Sequence, residues 1–289
     1  MRGEAGPTRE IAGVMMTEAA QLSNSSLLCI AHRAQGVTHW FADGDFAAAQ
    51  VELERAIDLH NPSKDRELAH RFGQDIGVAA KVYLAPVLWS RGDAAASRGM
   101  INDAISAALE TAHPPTIAYT HFFIAVLELM RLDAGRAKLA AEACLALAQE
   151  HGLAVWLLIA PVVHSWSIAA LNRTQSAWDE LRRNLSACRA KGQRTVASWV
   201  YPALASGEAE IGDFDAALRS IETAIIEQDG EHFWDSEAHR IRANIIGGTP
   251  RISPPLRPRC KQRFQPPDGN TPGALNCALR LTYQLCFTP

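Results

Sequence analysis

Small and apolar residues recur along the chain at fixed distances from short turn sequences. These turns are Gly44-Asp45, Gly92-Asp93, Leu132-Asp133, Asn172-Arg173 and Gly212-Asp213, so their first residues are spaced by 48, 40, 40 and 40 positions. Five residues after each first residue stand the small residues Ala49, Ser97, Ala137, Ala177 and Ala217. Nine residues after it stand the apolar residues Leu53, Ile101, Ala141, Leu181 and Ile221. Twelve residues after it stand Ala56, Ala104, Cys144, Asn184 and Ala224, small in four cases of five. This agreement predicts an internal repeat.

The spacing of these positions predicts helices. Offsets that differ by four and three place their side chains on one stripe of a helix. Small residues at the outer places of the stripe let a neighbouring helix approach closely, and the larger residue between them fills the gap. In the turns, Gly tolerates the left-handed backbone that ends a helix, and Asp can cap the next helix. Each unit is therefore predicted to contain a helix A, a tight turn and a helix B.

A single hairpin cannot bury its own stripe, so the units must stack. The predicted fold class is all-α, a right-handed α-solenoid of about five helical hairpins plus a partial sixth. The predicted A and B helices are 26–43 with 46–60, 75–91 with 94–111, 116–132 with 135–151, 155–171 with 175–191, and 196–211 with 214–229. A further helix A is predicted to begin near Glu231, and a capping helix to cover 8–21.

Some segments interrupt this pattern. The eight extra residues of the first interval fall in 61–74, which is predicted to be a longer connection. Pro86, Pro161 and Pro202 lie inside predicted A helices. An interior proline removes a hydrogen bond and clashes with the preceding turn, so each predicts a kink or an early stop.

Composition and charge narrow the class of protein. The 289 residues are 48% hydrophobic, and a net charge of −3 lacks the basic excess typical of nucleic-acid binders. The six cysteines form no CxxC pair, and no secretory signal is evident, which together predict a reduced, cytoplasmic protein. The segment 153–172 has no charged residue and the length of a membrane span. Because it is in phase with the repeat, a buried helix is predicted and no membrane partner is expected.

Two kinds of sequence run indicate a family. The run GDFAAAQVELERA from Gly44 to Ala56 resembles the tetratricopeptide consensus, as does the run from Gly212 to Ala224. HRFGQDIG from His70 to Gly77 and FWDSEAHR from Phe233 to Arg240 are similar to a group of bacterial multidomain regulators. These regulators combine a class III adenylate or guanylate cyclase domain and an AAA-type ATPase domain with a long C-terminal helical region.

The resemblance covers roughly 27–246 and implies a sensor or scaffold arm, detached from its enzyme. In that family the cyclase and nucleotide-binding chemistry lies upstream of the repeats, so no catalytic residue carries over to this chain. The chain departs from the family pattern after Ile246.

The last 43 residues have a different composition from the rest. They hold eight of the 15 prolines and a single acid, Asp268. Two interpretations stay open, a disordered proline-rich tail and the product of a frameshifted or truncated gene. The predicted organisation is an N-terminal segment 1–25, a repeat domain 26–246 and a tail 247–289. Because the last helix A lacks its helix B, self-association through the C-terminal end is expected.

Candidate chemistry is sparse. No phosphate-binding loop, dinucleotide fingerprint or HExxH motif occurs, and no cofactor or catalytic residue is predicted. His232, Asp235 and His239 are the metal candidates, because spacings of three and four place them on one helix face. The alternative interpretation is an ordinary surface helix. Two histidine pairs, His32 with His39 and His113 with His121, are predicted to be partly buried histidines rather than ligands.

The predicted function is a non-enzymatic regulatory module of bacterial signalling. Its concave face, lined by the A helices, is expected to hold a peptide segment, a partner domain or a small effector. Most of the tryptophans are expected to lie between hairpins, with one or two on the concave face. The alternatives are a metal-dependent or catalytic role at the His232 helix and an inert remnant of a cyclase gene.

Overall fold

The structure, a computed structural model, describes residues 5–226 and 232–247. Within these ranges every regular element is a helix, which confirms the all-α fold class. The helices are α1 (Ala5–Leu22), α2 (Ser25–Thr38), α3 (Phe46–Leu59), α4 (Pro62–Asp65), α5 (Leu68–Phe72), α6 (Ile76–Ser90), α7 (Ala94–Thr111), α8 (Pro114–Met130), α9 (Ala134–His151), α10 (Ala154–Asn172), α11 (Gln175–Ala190), α12 (Arg194–Glu210), α13 (Phe214–Ile226) and α14 (Asp235–Ile246). A π-helical turn, His39–Asp43, continues directly from α2.

The helices form consecutive hairpins. In each hairpin the A helix packs on its B helix: α2 on α3, α6 on α7, α8 on α9, α10 on α11 and α12 on α13. The A helices α2, α6, α8, α10, α12 and α14 also contact one another in that order. Each B helix contacts the next A helix, whereas successive B helices in the described ranges make no comparably extensive contact. The repeat-like architecture that the pattern predicts is therefore present, with the A helices in one row and α1 packed on α2.

The predicted stripe lies in the core. Every stripe position is buried except Asn184, whose side chain is half-buried. Asn184 Nδ2 donates to the Pro161 carbonyl at 3.4 Å, so this polar side chain connects α11 to α10. The small residues allow helices to approach closely, and the larger ones fill the space between them.

A substitution on α9 tests this register. Ala141 is 1% exposed, whereas Ala146 on the same helix is exposed. Ala141→Trp is expected to lower the free energy of unfolding by about 1–3 kcal/mol or more, because the extra volume overpacks the core. Ala146→Trp is the matched control and should stay within about 0.5 kcal/mol of the parent. Chemical denaturation measures both values, and equal effects would contradict the register.

The turns follow the prediction with one shift of register. Left-handed backbone occurs at Gly44, Gly92, Leu132 and Gly212, with φ values between 58° and 89°. In the fourth unit it falls on Arg173, at φ 54°, because α10 continues through Asn172. The Asp side chain of the other turns caps the following B helix, accepting backbone N–H bonds of 2.9–3.1 Å in α3, α7, α9 and α13.

The interior prolines do not stop their helices. Pro86, Pro161 and Pro202 lie within α6, α10 and α12, and each helix continues for at least four residues beyond its proline. The early stop predicted as one outcome is therefore wrong. Burial explains the difference, since all residues of α6 from Ile76 to Leu88 except Lys81 are buried. Packing of this extent outweighs the cost of about 3 kcal/mol for a proline in a helix.

The largest departures from the predicted boundaries occur at two places. The longer connection over 61–74 contains two short helices, α4 and α5, with Asn61 capping the first of them. The sixth A helix begins at Asp235 rather than near Glu231. The predicted tail lies outside the described residues apart from Gly247.

Candidate functional site

The row of A helices curves until its two ends meet. The Phe41 ring, in the π-helical turn after α2, stacks on the Trp199 ring of α12, with centroids 5.5 Å apart and planes 13° apart. The Phe41 carbonyl accepts a 2.8 Å hydrogen bond from the backbone N–H of His232, just before α14. The Phe233 ring lies 5.0 Å from that of Phe41 and 5.7 Å from that of Trp40. We call Trp40, Phe41, Trp199 and Phe233 the closing cluster.

The closing cluster depends on how the first A helix ends. The π-helical turn His39–Asp43 places the adjacent rings of Trp40 and Phe41 in contact, with centroids 4.2 Å apart. The turn ends at Gly44, where φ is +63°. A Cβ on Gly44 would lie only 3.1 Å from the His232 carbonyl oxygen. Glycine suits this position because it adopts the left-handed backbone and allows the last unit to approach closely.

Further aromatic rings extend the closing cluster along the concave side of the A helices. They belong to Tyr83, Tyr119, Phe122, Phe123 and Trp156. Each of these residues is at most 9% exposed. In α8 every residue from Thr116 to Leu129 is buried, and the Trp199 ring lies 6.4 Å from that of Phe122 and 6.1 Å from that of Phe123. Where these rings lie, the chain's own aromatic side chains therefore fill the concave side.

Polar groups without partners border these rings. Arg33 lies on α2 seven residues before Trp40, and its Nε is shielded from solvent without a hydrogen-bond partner in the described ranges. The indole Nε1 atoms of Trp40 and Trp199 are also buried and unpaired there, whereas the buried Tyr119 hydroxyl interacts with that of Tyr83. Burial raises the pKa of Tyr83 and of Tyr119, and the charge of Arg33 opposes both rises. The buried polar atoms that lack a partner make this place a candidate binding site.

A buried ion pair connects the second and third hairpins. Glu128 on α8 is 1% exposed, and its Oε1 lies 3.1 Å from Nη1 of Arg131 and 3.1 Å from Nη1 of Arg98. Arg131 also donates to Ser97 Oγ at 3.0 Å, and its guanidinium lies 4.9 Å from the centroid of the Trp89 ring. These contacts join α7 to α8 by charge as well as by apolar packing.

The same arrangement recurs two hairpins later. Glu208 on α12 is fully buried, and its Oε1 accepts bonds from Arg182 of α11 at 2.7 and 2.8 Å. Burial raises the pKa of Glu208, although Ser220 and Arg182 oppose this. Glu128 and Glu208 both stand four residues before the turn of their unit. The charge pair therefore occurs at the same position in two of the five units, and in both it joins neighbouring hairpins.

Asp75, within the run from His70 to Gly77, caps α6. Its Oδ1 accepts from the backbone N–H groups of Gly77 and Val78 at 3.0 and 2.8 Å, and its own N–H donates to Thr116 Oγ1 at 2.9 Å. His60 Nε2 lies 3.5 Å from the same carboxylate. Burial raises the pKa of Asp75, but His60 and the backbone donors outweigh this and lower the pKa below its usual value. This contact network has a structural role, since it ties α6 to α8.

The metal candidates from the sequence do not share a helix face. His232 precedes α14, and its Nδ1 lies 2.8 Å from Asp235 Oδ2, while His239 is exposed on the helix. The predicted common face is wrong because the helix begins at Asp235 and leaves His232 outside it. Across the described part of the chain, no group of three or more His, Cys, Asp or Glu side chains is arranged to hold a metal ion.

The two histidines of each predicted pair have different contact partners, and the His113 ring lies 4.9 Å from that of His70. Each histidine of the predicted pairs has its own surroundings: His32 contacts Glu52 at 2.7 Å, His39 contacts Asp43 at 2.9 Å, His113 contacts Thr116 at 2.8 Å, and both nitrogens of the buried His121 are unpaired. Cys29, Cys144 and Cys188 are buried free thiols, and burial raises their pKa to about 12, 12 and 11. They are therefore thiols rather than thiolates at neutral pH, which makes them poor nucleophiles.

His121 predicts a pH dependence of stability. Burial lowers its pKa to about 4, whereas in the unfolded chain the pKa returns to about 6.5. The unfolded state therefore binds the proton first as pH falls, so stability present above pH 6.5 is lost between about 6.5 and 4, by up to about 3 kcal/mol. His121→Leu should remove this part of the pH slope in denaturant titrations, and exposed His239→Leu should not. Parallel slopes for all three proteins would contradict the prediction.

One helix of the described ranges, α10, is long and apolar enough to cross a membrane by length and composition. It contacts α8, α9, α11 and α12, and Trp156, Ile159, Val163 and Trp166 are buried on it. Its place in the row of A helices agrees with the phase of the pattern, although Val155, Leu157 and Leu171 on it are exposed.

In the sequence, a single charged residue within an apolar helix marks two of these buried polar groups. Glu128 is the one charged residue of the apolar helix α8, and Arg33 stands within the largely apolar α2. A lone charge in an otherwise apolar repeat helix is either paired across the helix interface or available to bind a ligand.

Comparison of the chain with protein-family models, with curated proteins and with solved structures gave no match.

Proposed function

We propose that the chain is a non-enzymatic regulatory module, a right-handed tetratricopeptide-like α-solenoid that binds a small effector on its concave side. The observation that carries the proposal is the set of buried polar atoms without a partner in the described residues, the indole Nε1 atoms of Trp40 and Trp199 in the closing cluster and Arg33 Nε on α2. Buried polar groups in folded proteins are nearly always paired, so the exceptions call for a specific explanation such as a binding site. Concave, largely apolar surroundings with a few polar groups are typical of small-molecule sites.

The aromatic packing favours a small effector over a peptide segment. A peptide along the concave side would have to displace the rings of Phe41, Trp199 and Phe233, which contact one another at 5.0–6.2 Å. Aromatic pairs of this kind stabilise by about 0.5–1.5 kcal/mol each beyond their burial. A small molecule beside the cluster requires no such displacement.

The proposed setting is cytoplasmic signalling in bacteria, as a sensor arm of a cyclase-type regulator. This proposal rests on the resemblance carried by two sequence runs, and each run has a definite place in the structure. The run from His70 to Gly77 contains the α6 cap Asp75, and the run from Phe233 to Arg240 supplies a ring of the closing cluster. The first run therefore lies where α6 is tied to α8, and the second lies where the ends of the row meet. The chain alone is expected to make no cyclic nucleotide, and addition to a regulator deprived of its helical region is expected to change that enzyme's output.

A ligand screen tests the binding function. Compounds of anionic, cationic and neutral classes are added to the full chain, and thermal unfolding is followed together with tryptophan emission, because Trp40 and Trp199 lie in the closing cluster. A ligand present at 100 times its dissociation constant stabilises the folded state by about 2.7 kcal/mol. Stabilisation by at least one small-molecule class, with a change in emission, is expected. Stabilisation by added polypeptide alone would contradict the small-effector proposal.

A further inference from the structure

Two histidine rings meet where the connection after the first hairpin contacts α8. The His70 ring, in α5, has its centroid 4.9 Å from that of the His113 ring, and the two ring planes stand at 85°. His113 is the residue immediately before α8, whose first two residues are prolines. His70 is exposed and His113 is half-buried, so protons from solvent reach this contact. The two rings therefore join α5 to the start of α8.

The surroundings of His113 favour its uncharged form. Its Nδ1 lies 2.8 Å from Thr116 Oγ1, which already accepts a 2.9 Å hydrogen bond from the backbone N–H of Asp75. The hydroxyl proton of the buried Thr116 is therefore available to donate to an unprotonated Nδ1. His113 also stands at the N-terminal end of α8, where the helix dipole disfavours a positive charge. Protonation of His113 removes the acceptor and places a cation at this end of the helix.

Charged groups from the neighbouring elements act on this pair with opposite signs. Burial lowers the pKa of His113, a charge on His70 lowers it further, and the Asp75 carboxylate opposes both without reversing the direction. That carboxylate is already engaged, since it caps α6 and lies 3.5 Å from His60 Nε2. A single shared carboxylate does not balance two further positive charges.

Three other charged residues stand close to the pair along the chain. Glu67 and Arg71 flank His70, and Glu110 precedes His113 by three residues. All three are exposed, so solvent and salt screen their charges. The balance at the pair is therefore set by the two imidazoles themselves and by Asp75.

We propose that His70 and His113 form an acid-sensitive latch, which holds α5 on the start of α8 at neutral pH and releases it when both imidazoles are protonated. Two positive charges on rings this close repel each other, and the half-buried position of His113 weakens screening by solvent. A released histidine has its ordinary pKa of about 6.5. The contact is therefore complete above that pH and is lost as pH falls through the lowered pKa of His113. This inference goes beyond effector binding and does not depend on it.

The release is expected to stay within the second half of the connection. The preceding helix, α4, has a separate anchor, because the buried Asp65 carboxylate accepts from Ser26 Oγ and, at 2.9 Å, from the Asn61 backbone N–H. α5 is only five residues long, and its apolar anchors are the buried Ala69 and the partly buried Leu68. A segment with so few buried apolar contacts opens locally, without unfolding of the hairpins around it.

Hydrogen exchange of the full chain tests the latch. Amide protection is measured at about pH 7.5 and about pH 5, corrected for the intrinsic exchange rate at each pH, with a chelator present so that no metal ion bridges the rings. Protection of residues 69–75 is expected to fall by about tenfold or more in acid, and that of α4 and α11 by much less. His70→Gln and His113→Gln keep a polar side chain that cannot be charged, so each should remove most of this fall. His239→Gln, at an exposed histidine of α14, is the matched control and should respond as the parent does.

Two further measurements separate charge from shape. His70→Glu places a carboxylate beside His113, so in acid the pair attracts instead of repelling, and protection of residues 69–75 at about pH 5 is expected to exceed that of the parent. Imidazole resonances followed by NMR report the coupling directly. The pKa of His113 should rise in His70→Gln, because the like charge that lowers it is gone.

Several outcomes would overturn the latch. These are a fall in protection that persists in both glutamine variants, a fall of equal size in α11, and no fall at all in the parent. If His113→Gln loosens α5 already at neutral pH, through its lost contact with Thr116, then His70→Gln decides, since it leaves that contact in place. Protection that no longer depends on pH in His70→Gln supports the latch, and a response like that of the parent overturns it.

Discussion

Replacing Trp199 by alanine is expected to lower the free energy of unfolding by about 3–5 kcal/mol. The side chain is 1% exposed and contacts Phe41, Phe122, Phe123 and Phe233, so its removal leaves a large cavity. Phe41 and Phe233 lie at opposite ends of the row of A helices, so loss of the Trp199 ring also weakens the contact between the first and last units. Denaturant titration measures the loss of stability. Hydrogen exchange at the His232 amide, which donates to Phe41, measures the loosening.

Trp178→Ala is the matched control for this experiment. Trp178 is 2% exposed, but it lies on α11 outside the closing cluster. A comparable loss of stability is expected, since a ring of the same size is removed. Protection of the His232 amide should fall further in Trp199→Ala than in Trp178→Ala. Equal protection in the two variants would contradict the view that the cluster joins the ends of the row.

Glu128→Leu is expected to lower the free energy of unfolding by a similar amount, about 3–5 kcal/mol, for an electrostatic reason. The Arg131 side chain is only 6% exposed, so removal of the carboxylate leaves a buried guanidinium without its counter-charge. The other partner, Arg98, is 36% exposed and can turn toward solvent. The double variant Glu128→Leu with Arg131→Met should recover most of the loss, because a well-packed apolar pair replaces a buried ion pair at little cost.

A surface ion pair on the next helix provides the control. Glu142 lies 3.3 Å from Lys138, and its side chain is 44% exposed. Glu142→Leu should change stability by less than about 1 kcal/mol, since exposed pairs contribute little. The prediction for Glu128 fails if its single variant is as mild as that of Glu142, or if the double variant is no more stable than Glu128→Leu.

The hairpins and their register could be predicted from the sequence because they depend on local and periodic information. Ala49 and Ala217 stand at the same offset from a Gly-Asp turn, and both are fully buried. Stripe spacing, caps and turns act within one or two helical turns, so each leaves a readable pattern. Arg173 marks the limit of such patterns: the turn moved by one residue because the packing of α10 extended the helix through Asn172.

The candidate site could not be predicted in the same way. His232, Asp235 and His239 have helical ligand spacing, but spacing does not tell where the helix begins. Phe41 and Trp199 are 158 positions apart, and no local rule relates a ring at the end of the first A helix to a ring on the fifth. Their proximity follows from the curvature of the row, which many weak interhelical contacts set together.

The sequence by itself therefore determined the helices, their pairing into hairpins and the stripe that each hairpin buries. Only the tertiary structure decided that the ends of the row meet, through Phe41, Trp199 and Phe233, and that the concave side is filled with rings. The physical reason is that small angles between neighbouring hairpins add up along the row. Where the sum brings distant units into contact, long-range packing decides which polar groups, such as Arg33, are left without a partner.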